Sequence, residues 1–325
     1  MSTNNFDSHT TAKEVADAFS SQITGKNVLI TGTSIGGIGF EAARVIAQYA
    51  NLVVITGYDS GRLQLSVDAI KKEFPQANIR KLILDVSSLA AVPKAAAEVN
   101  AYPEPLHVLI NNAAATPAKF SVTDDGLERQ MATNHVGPFL FTNLILPKII
   151  ASRTDTVTPR VIFIASDAHA FTPGLDISTL AQPMPEKYKT AFEPYNDTKS
   201  ANVLTTVELA SRLKGKVNVY TLHPGLIFSQ IMTKPESLAD YQQYNILDKD
   251  GQPNKDLPFE WKTVPEGAAT TVVAAFDPAL SDKSGAYLRD CQVTTDDVAP
   301  HSTDPERASQ LWKATEKIVG QSFDF

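Results

Sequence analysis

A single cysteine, Cys291, stands in the 325 residues, so no internal disulfide can form. None is needed, because a chain of this length buries roughly 75% of the surface its unfolded form exposes. With no secretory signal in view, the expected compartment is the reducing cytosol. Long apolar runs are equally scarce. The most hydrophobic stretch, Phe139–Ile150, falls short of the ~18 uninterrupted apolar residues of a membrane span and contains Pro147, so no span is expected. Positive charge is in deficit: 29 Lys and Arg against 36 Asp and Glu leave a net −7. Without a basic cluster interleaved with aromatics, nucleic acid is not an expected partner. No internal repeat or low-complexity tract is found, and no metal site is assigned. What remains is an acidic, globular α/β candidate.

The first ~22 residues are polar and rich in Ser, Thr and Asn, with a weak helical pattern over Ala12–Phe19; residues 1–24 read as an arm preceding the domain proper, 25–325. From Gly25 onward, short apolar runs alternate with amphipathic stretches. The runs Val28–Thr31, Leu52–Thr56, Ile79–Leu84, Val108–Asn111, Val161–Ala165 and Val217–Leu222 do not alternate in polarity, as expected of strands buried on both faces. Helices are expected from Phe40, near Leu63–Phe74, near Leu89–Val99, around Gly126–Ile150 and over Tyr195–Leu213. Strict β/α alternation predicts a doubly wound parallel sheet with right-handed crossovers. Residues 225–265 carry prolines and no clear periodicity, which predicts an excursion rather than a second domain. A helix over Pro265–Phe276, a strand over Gly285–Leu288 and a helix over Pro305–Val319 complete the pattern.

Directly after the first strand stands Thr31-Gly32-Thr33-Ser34-Ile35-Gly36-Gly37-Ile38-Gly39, and a helix follows. Glycines let backbone N–H groups approach a pyrophosphate, and the helix N-terminus favours the anion. The bland alternative is a plain strand-to-helix turn. Position in the first βα turn favours the functional reading, as does an acid, Asp59, near the end of the second strand. Asp59 itself suits a ribose ligand and a helix cap equally well.

Tyr195 and Lys199, four apart on a predicted helix, leave it from one face. A tyrosine alone, with a pKa near ~10, is a poor acid or base at neutral pH. A cation ~4 Å away contributes on the order of 4 kcal/mol at intermediate dielectric, enough to pull the phenol well down. Ser166 ends the strand Val161–Ala165 at the carboxyl edge of the sheet, where its hydroxyl can hold a substrate oxygen. Asn134 lies inside a long predicted helix, an unfavourable place unless its amide holds a water or reaches Lys199 through one. Singly, each of these has a structural explanation; their order along the chain is what discriminates.

The chain resembles the short-chain dehydrogenase/reductase family from about Asn27 to Leu288, through Thr31–Gly39, Leu84-Asp85-Val86, Asn111-Asn112-Ala113-Ala114, Asn134-His135-Val136-Gly137, Ile164-Ala165-Ser166, Tyr195–Ser200 and His223-Pro224-Gly225. The resemblance implies a Rossmann-type domain and a catalytic tetrad Asn134, Ser166, Tyr195 and Lys199, with Tyr195 as proton donor and Lys199 also holding the nicotinamide ribose. It further implies cofactor contacts from Gly32, Thr33, Ser34, Gly37, Ile38 and Gly39, from Tyr58, Asp59 and Arg62, and from Asp85 and Val86 beside the adenine. Asn111, Ala113, Pro224, Gly225, Ile227 and Ser229 would line the rest. Asn134–Phe139 and Ala165-Ser166-Asp167-Ala168-His169 are similar to the retinol-dehydrogenase-like branch, and the tail with Trp312 resembles its fungal members. There are departures. Four residues separate Gly32 from Gly37 where the usual pattern has three, Ala114 replaces a usual glycine, Ser229 stands where threonine is common, and Tyr58 stands where relatives preferring NADP often carry arginine.

The reaction implied is hydride transfer between NAD(P)(H) and a carbonyl or alcohol. The alternatives are a non-catalytic dinucleotide-binding regulator and a redox-neutral dehydratase, isomerase or cyclase. NADP is the expected cofactor, on the branch resemblance with Arg62 and the hydroxyls of Thr33 and Ser34; Asp59 and Tyr58 argue for NAD. The expected partner is a small-molecule substrate, with a homodimer left open. Phe171, Tyr188, Phe192, Phe228, Tyr241, Tyr244 and Phe259 suit a bulky apolar one. Residues 225–265 and 182–194 adjoin the catalytic elements and are expected to form a mobile lid over the carboxyl edge.

Overall fold

The apolar runs pair into one sheet because each sends alternate residues to opposite faces and both faces are covered. A computed structural model describes residues 5–229, Met232 and 235–325. Its strands are β1 (Asn27–Ile30), β2 (Leu52–Gly57), β3 (Ile79–Ile83), β4 (Val108–Asn111), β5 (Arg160–Ile164) and β6 (Asn218–His223). Two short strands, β7 (Leu226–Ile227) and β8 (Trp261–Lys262), pair with each other apart from the sheet, and β9 (Tyr287–Arg289) and β10 (Gln292–Val293) close its edge. The order is β10-β9-β6-β5-β4-β1-β2-β3, parallel except for the β9–β10 hairpin. The expected doubly wound parallel sheet is what forms.

The helices are α1 (Ala12–Ala18), α2 (Ser20–Ile23), α3 (Ile38–Ala47), α4 (Ser60–Glu73), α5 (Val92–Ala101), α6 (Arg129–Met131), α7 (Gly137–Ala151), α8 (Phe192–Arg212), α9 (Pro235–Gln243), α10 (Val264–Phe276), α11 (Pro300–Thr303) and α12 (Pro305–Val319). Val28, Ile30, Val53, Ile55, Ile110 and Ile162 face the layer built from α1, α3, α4 and α10. Leu29, Val54, Leu109, Val161, Phe163 and Val219 face the layer of α5, α7, α8 and α12. Each such side chain contributes about 1.5–3 kcal/mol on burial, and a one-residue slip would send it to the wrong face. The strand order reverses beside β1, between β2 and β4, so the loops after β1 and β4 open a crevice at the carboxyl edge.

Four local features differ from the sequence expectation. Of the arm expected over 1–24, residues 1–4 lie outside the described residues and the rest is docked: α1 starts in a capping box of Thr11 and Glu14, and Val15, Ala16, Phe19 and Ile23 are buried in the core beside α10. The single long helix around 126–150 is broken into α6, a π-helical turn at Ala132–Val136, and α7. α8 begins at Phe192, three residues before Tyr195. The excursion 225–265 contains α9, whose inward side chains include Ser237 and Tyr241; a serine among the inward positions leaves no apolar period to read.

Candidate active site

The glycine loop leaves β1 with Gly32 at φ +71°, a conformation open to glycine at no cost. Gly39 opens α3 so close to β4 that a Cβ on it would lie 2.2 Å from Asn112 Nδ2. Asn112 Nδ2 donates to the carbonyls of Thr31 at 2.8 Å and Gly32 at 2.9 Å. Thr31 Oγ1 accepts from the amides of Asn112 and Ala113. The loop is thus strapped to the end of β4, with Ala113 half-buried beside it. The extra residue is absorbed in a turn: Gly37 N donates to Ser34 O at 3.1 Å, Gly36 takes φ +83°, and Ser34 and Ile35 are left exposed. Gly37 caps α3, so Ile38 is its first residue.

The second strand brings a correction. Thr33 is fully buried and its hydroxyl donates to Thr56 O at 3.1 Å, so it faces inward rather than toward any 2′-phosphate. Asp59 is the N-cap of α4, Oδ1 accepting from Arg62 N at 2.8 Å, which realises the capping reading. Tyr58, Asp59 and Arg62 are all exposed at this end of β2. Across the crevice, Asp85 Oδ1 accepts from Ser87 N and Oγ, and Val86 is buried with its carbonyl where a Cβ on Gly137 would have to be, 1.7 Å away. Asn111 ends β4 with Nδ2 on Thr142 Oγ1 at 2.9 Å and Oδ1 buried without a partner. Beyond β6, Pro224 is half-buried and Gly225 takes φ +99°, where a Cβ would meet Lys262 Cδ at 2.6 Å. Ile227 is buried in β7 against Gly267, and Ser229 O accepts from Met232 N at 3.0 Å.

The four catalytic candidates converge on the carboxyl ends of β4 and β5. Ser166 follows β5, with Oγ accepting from Ala168 N at 3.2 Å. Tyr195 and Lys199 share the first turns of α8, and the Lys199 ammonium donates to Ile164 O, at the end of the same strand, at 2.9 Å. Asn134 is buried in the π-helical turn. Its Nδ2 donates to Ala115 O and Thr198 Oγ1, both at 3.0 Å, and its Oδ1 accepts from Ala115 N at 2.6 Å. The amide therefore braces the loop after β4 against α8. Its direct contact with α8 is to Thr198, the neighbour of Lys199.

Burial works against the lowering expected of the Tyr195 pKa. Burial pushes the Tyr195 phenol up to about 12, and a hydrogen bond with Ser166 pulls the other way without prevailing. The Lys199 ammonium sits over the ring, 5.2 Å from the centroid, and donates to Ile164 O rather than to the phenol oxygen. Burial in turn pushes Lys199 down to about 8. Tyr195 is thus a protonated phenol at neutral pH.

Of the seven aromatics singled out above, four gather beside the site. Phe192 packs edge-on against Tyr241 at 5.4 Å and Tyr244 at 4.8 Å, and Phe228 meets Trp261 at 6.3 Å. With Met232, Leu247 and Leu226 they form a separate apolar cluster, and the Tyr241 phenol lies near that of Tyr195. Ser237 on α9 meets Thr116 after β4 at 3.5 Å, so this cluster roofs the crevice. Tyr188 instead reaches Asp197 at 3.3 Å, and Phe171 and Phe259 are exposed.

Sequence reasoning assigned no task to Asn112, Gly137, Asp167 or His169, although all stand in the quoted motifs. The signal was adjacency: each neighbours a site residue and is of a type that straps or admits backbone.

A doubly wound sheet with a glycine loop at its switch point defines a dinucleotide-binding fold. A family profile described as short chain dehydrogenase matches residues 26–179. Short-chain dehydrogenase TIC 32 A, chloroplastic, of Brassica napus is 33% identical over 297 residues, 90% of this chain and 88% of the relative. Retinol dehydrogenase 12 of Bos taurus is 32% identical over 300 residues, 92% of this chain and 88% of the relative. Among solved structures, an uncharacterized protein from Mycobacterium paratuberculosis shares the fold with a TM-score of 0.69 at 23% identity, over 93% of this chain and 96% of that one. The chain belongs to the short-chain dehydrogenase/reductase family, in its retinol-dehydrogenase-like branch. It is an NAD(P)-dependent oxidoreductase.

The residues present fit a nicotinamide dinucleotide. Gly32, Gly36, Gly37 and Gly39 stand between β1 and the first turn of α3, and Cβ atoms on Gly32 and Gly39 would collide with Ala113 and Asn112. Such a cradle leaves amides, not side chains, toward a pyrophosphate at the start of α3.

Proposed function

We propose that this enzyme transfers a hydride between NADP(H) and a bulky apolar carbonyl or alcohol, with Tyr195 exchanging the proton. The observation that carries the reading is the shared position of the Tyr195 phenol and the Ser166 hydroxyl at the carboxyl edge, with Lys199 on the same helix face. Ser166 holds the substrate oxygen and Tyr195, a phenol at neutral pH, donates to it in reduction. Lys199 adds positive charge beneath the ring and holds the nicotinamide ribose. Asn134 keeps the loop after β4 braced against α8. The bound cofactor supplies the hydride, and the protein supplies alignment and exclusion of water.

In the cofactor reading, Gly32, Ser34, Gly37, Ile38 and Gly39 cradle the phosphates, Asp85 and Val86 flank the adenine, and Asn111, Ala113, Pro224, Gly225, Ile227 and Ser229 line the remainder. Preference for NADP is supported by Arg62 and Ser34, both exposed at the crevice rim, and by the commitment of one Asp59 oxygen to its helix. The aromatic roof of Phe192, Tyr241 and Tyr244 supports an apolar substrate, as does similarity to a relative named for retinol. Residues 225–265 and 182–194 act as its lid. A cytosolic location is supported by Cys291, a free thiol.

A panel of ketones, aldehydes and alcohols, assayed by nicotinamide absorbance with both cofactors, tests the reading. Stoichiometric change with an apolar member and tighter NADPH binding by fluorescence titration are expected. Tighter NADH binding overturns the cofactor preference, and conversion without absorbance change overturns the reaction.

A further inference from the structure

The turn that carries Ser166 is gripped by parts of the chain that lie far along the sequence. Asp167, the next residue, accepts from the Tyr287 hydroxyl at 2.8 Å through Oδ1 and from Arg289 Nη1 at 3.2 Å through Oδ2. His223 Nε2 stands 3.6 Å from the same Oδ2. Burial raises the Asp167 pKa, but His223, Tyr287 and Arg289 together outweigh it, so the carboxylate stays ionised.

His169 grips the turn a second time. Its Nδ1 lies 2.7 Å from Ser166 O, and its Nε2 accepts the Ala299 amide at 3.3 Å. A backbone amide can only donate, so Nε2 is bare and Nδ1 carries the hydrogen that goes to Ser166 O. The ring is neutral and buried, and its own backbone carbonyl meets His301 Nε2 at 3.0 Å. β6, β9 and the segment leading into α11 therefore converge on the few residues that aim the Ser166 hydroxyl. Neither side chain forms a hydrogen bond with Tyr195, Lys199 or Asn134 among the described residues.

We propose that Asp167 and His169 are positioning residues for catalysis: they fix the backbone of Ser166–Ala168 so that the Ser166 hydroxyl keeps its place beside Tyr195. The proposal rests on the catalytic reading of Ser166 given above. A misplacement of about 1 Å costs up to about 100-fold in turnover, so a loosened turn is read in kcat rather than in cofactor affinity. Asparagine at 169 can present an N–H where Nδ1 stands, whereas glutamine reaches only the Nε2 position.

The test is a set of double-mutant cycles with Ser166→Ala, using the best substrate of the carbonyl panel, with the NADPH Kd and Tm of every variant measured alongside. Asp167→Asn and His169→Gln are expected to lower kcat about 10- to 100-fold with the NADPH Kd unchanged, and His169→Asn to recover most of the loss. In the Ser166→Ala background all of these effects should vanish. Tyr287→Phe, which removes one donor only, is the milder probe if Asp167→Asn does not fold. An undiminished fall in the Ser166→Ala background, or His169→Asn as harmful as His169→Gln, overturns the proposal alone. Wild-type kcat for Ser166→Ala overturns the reading of the serine, and the proposal with it.

Discussion

The Lys199 ammonium lies over the Tyr195 ring, 5.2 Å from its centroid, and spends its hydrogen bond on the carbonyl of Ile164 at 2.9 Å. The pair is joined through the ring face, not through the hydroxyl. Burial keeps the proton on Tyr195, and the phenol is suited to giving it up only when an oxygen anion develops beside it. Replacing Tyr195 by Phe leaves the ring and its cation–π contact in place. Folding and NADPH binding should stay near wild type while kcat falls by about 10²–10⁴. Wild-type turnover, measured where chemistry is rate-limiting, would remove Tyr195 from the mechanism.

Lys199 leaves a signature in stability as well as in turnover. Burial holds its folded pKa at about 8, below the ordinary 10.5. Between those values the unfolded chain binds a proton that the folded one has released, so stability conferred at this site rises with pH; below pH 8 both states are protonated and the dependence is flat. Relative to Lys199→Met, the wild type should gain on the order of 3 kcal/mol across that window. Urea unfolding of both proteins at intervals from neutral to alkaline pH measures the difference. A flat difference would mean that the ammonium is solvated.

His135 gives a dependence of the same sign at the acid end. Its Nε2 meets Thr315 Oγ1 at 2.8 Å, and because Thr315 itself donates to Leu311 O, the imidazole is the donor. Burial pushes its pKa down to about 3, far below the ordinary value of 6.5, so the folded state keeps it neutral while the unfolded state takes up a proton. Stability is therefore lost as pH falls below about 6.5. His135→Gln offers a similarly placed N–H that does not titrate. On going from neutral pH to about pH 5 it should lose about 2 kcal/mol less than the wild type. Equal losses would show that the ring reaches water.

The alternation of strands and helices was legible because Val28–Ile30 and its counterparts are apolar on both faces, and only a sheet covered on both sides asks for that. Tyr195, Lys199 and Ser166 were legible from spacing and from the strand end. The π-helical turn around Asn134 was not, since Ala132–Val136 remains helical and only its backbone hydrogen-bond register changes. Nor was the direction of the Tyr195 shift legible, because it follows from how deeply the folded chain buries the phenol. Thr33 looked like a ligand by position in its motif, and the carbonyl of Thr56 that claims it lies 23 residues away.

Tyr241 should govern substrate size. It is buried at 5% exposure on α9, packed against Phe192 and facing Tyr195. Tyr241→Ala removes an aromatic wall whose hydroxyl has no hydrogen-bond partner among the described residues. KM for bulky apolar carbonyls should rise about tenfold, the effect of about 1.4 kcal/mol of lost apolar contact, with little change for small ones. A uniform rise over small and large substrates would place Tyr241 outside the substrate's reach.

Among the described residues, the proposed lid has a latch at its far end. Lys262, at the end of β8, passes over Gly225 and pairs with Asp290 in the β9–β10 turn, so the far end of the excursion is tied to both the glycine after β6 and the sheet edge. The lysine side chain is 8% exposed and the aspartate 42%, a half-screened pair whose contribution is on the order of 1 kcal/mol. Lys262→Ala removes the charge and also the methylene stem that fills the space Gly225 leaves. Amides of β7, α9 and β8 should then exchange roughly fivefold faster in the apo enzyme, while those of β1 to β6 are unaffected. Cofactor with a bound inhibitor should restore protection in both proteins, because closure over a ligand buries the same segment whether or not the latch is present. If exchange across residues 225–265 is slow in the wild type and unchanged by ligand, the segment is fixed structure and gates nothing. If it is fast but indifferent to Lys262→Ala, the lid stands and the latch lies elsewhere.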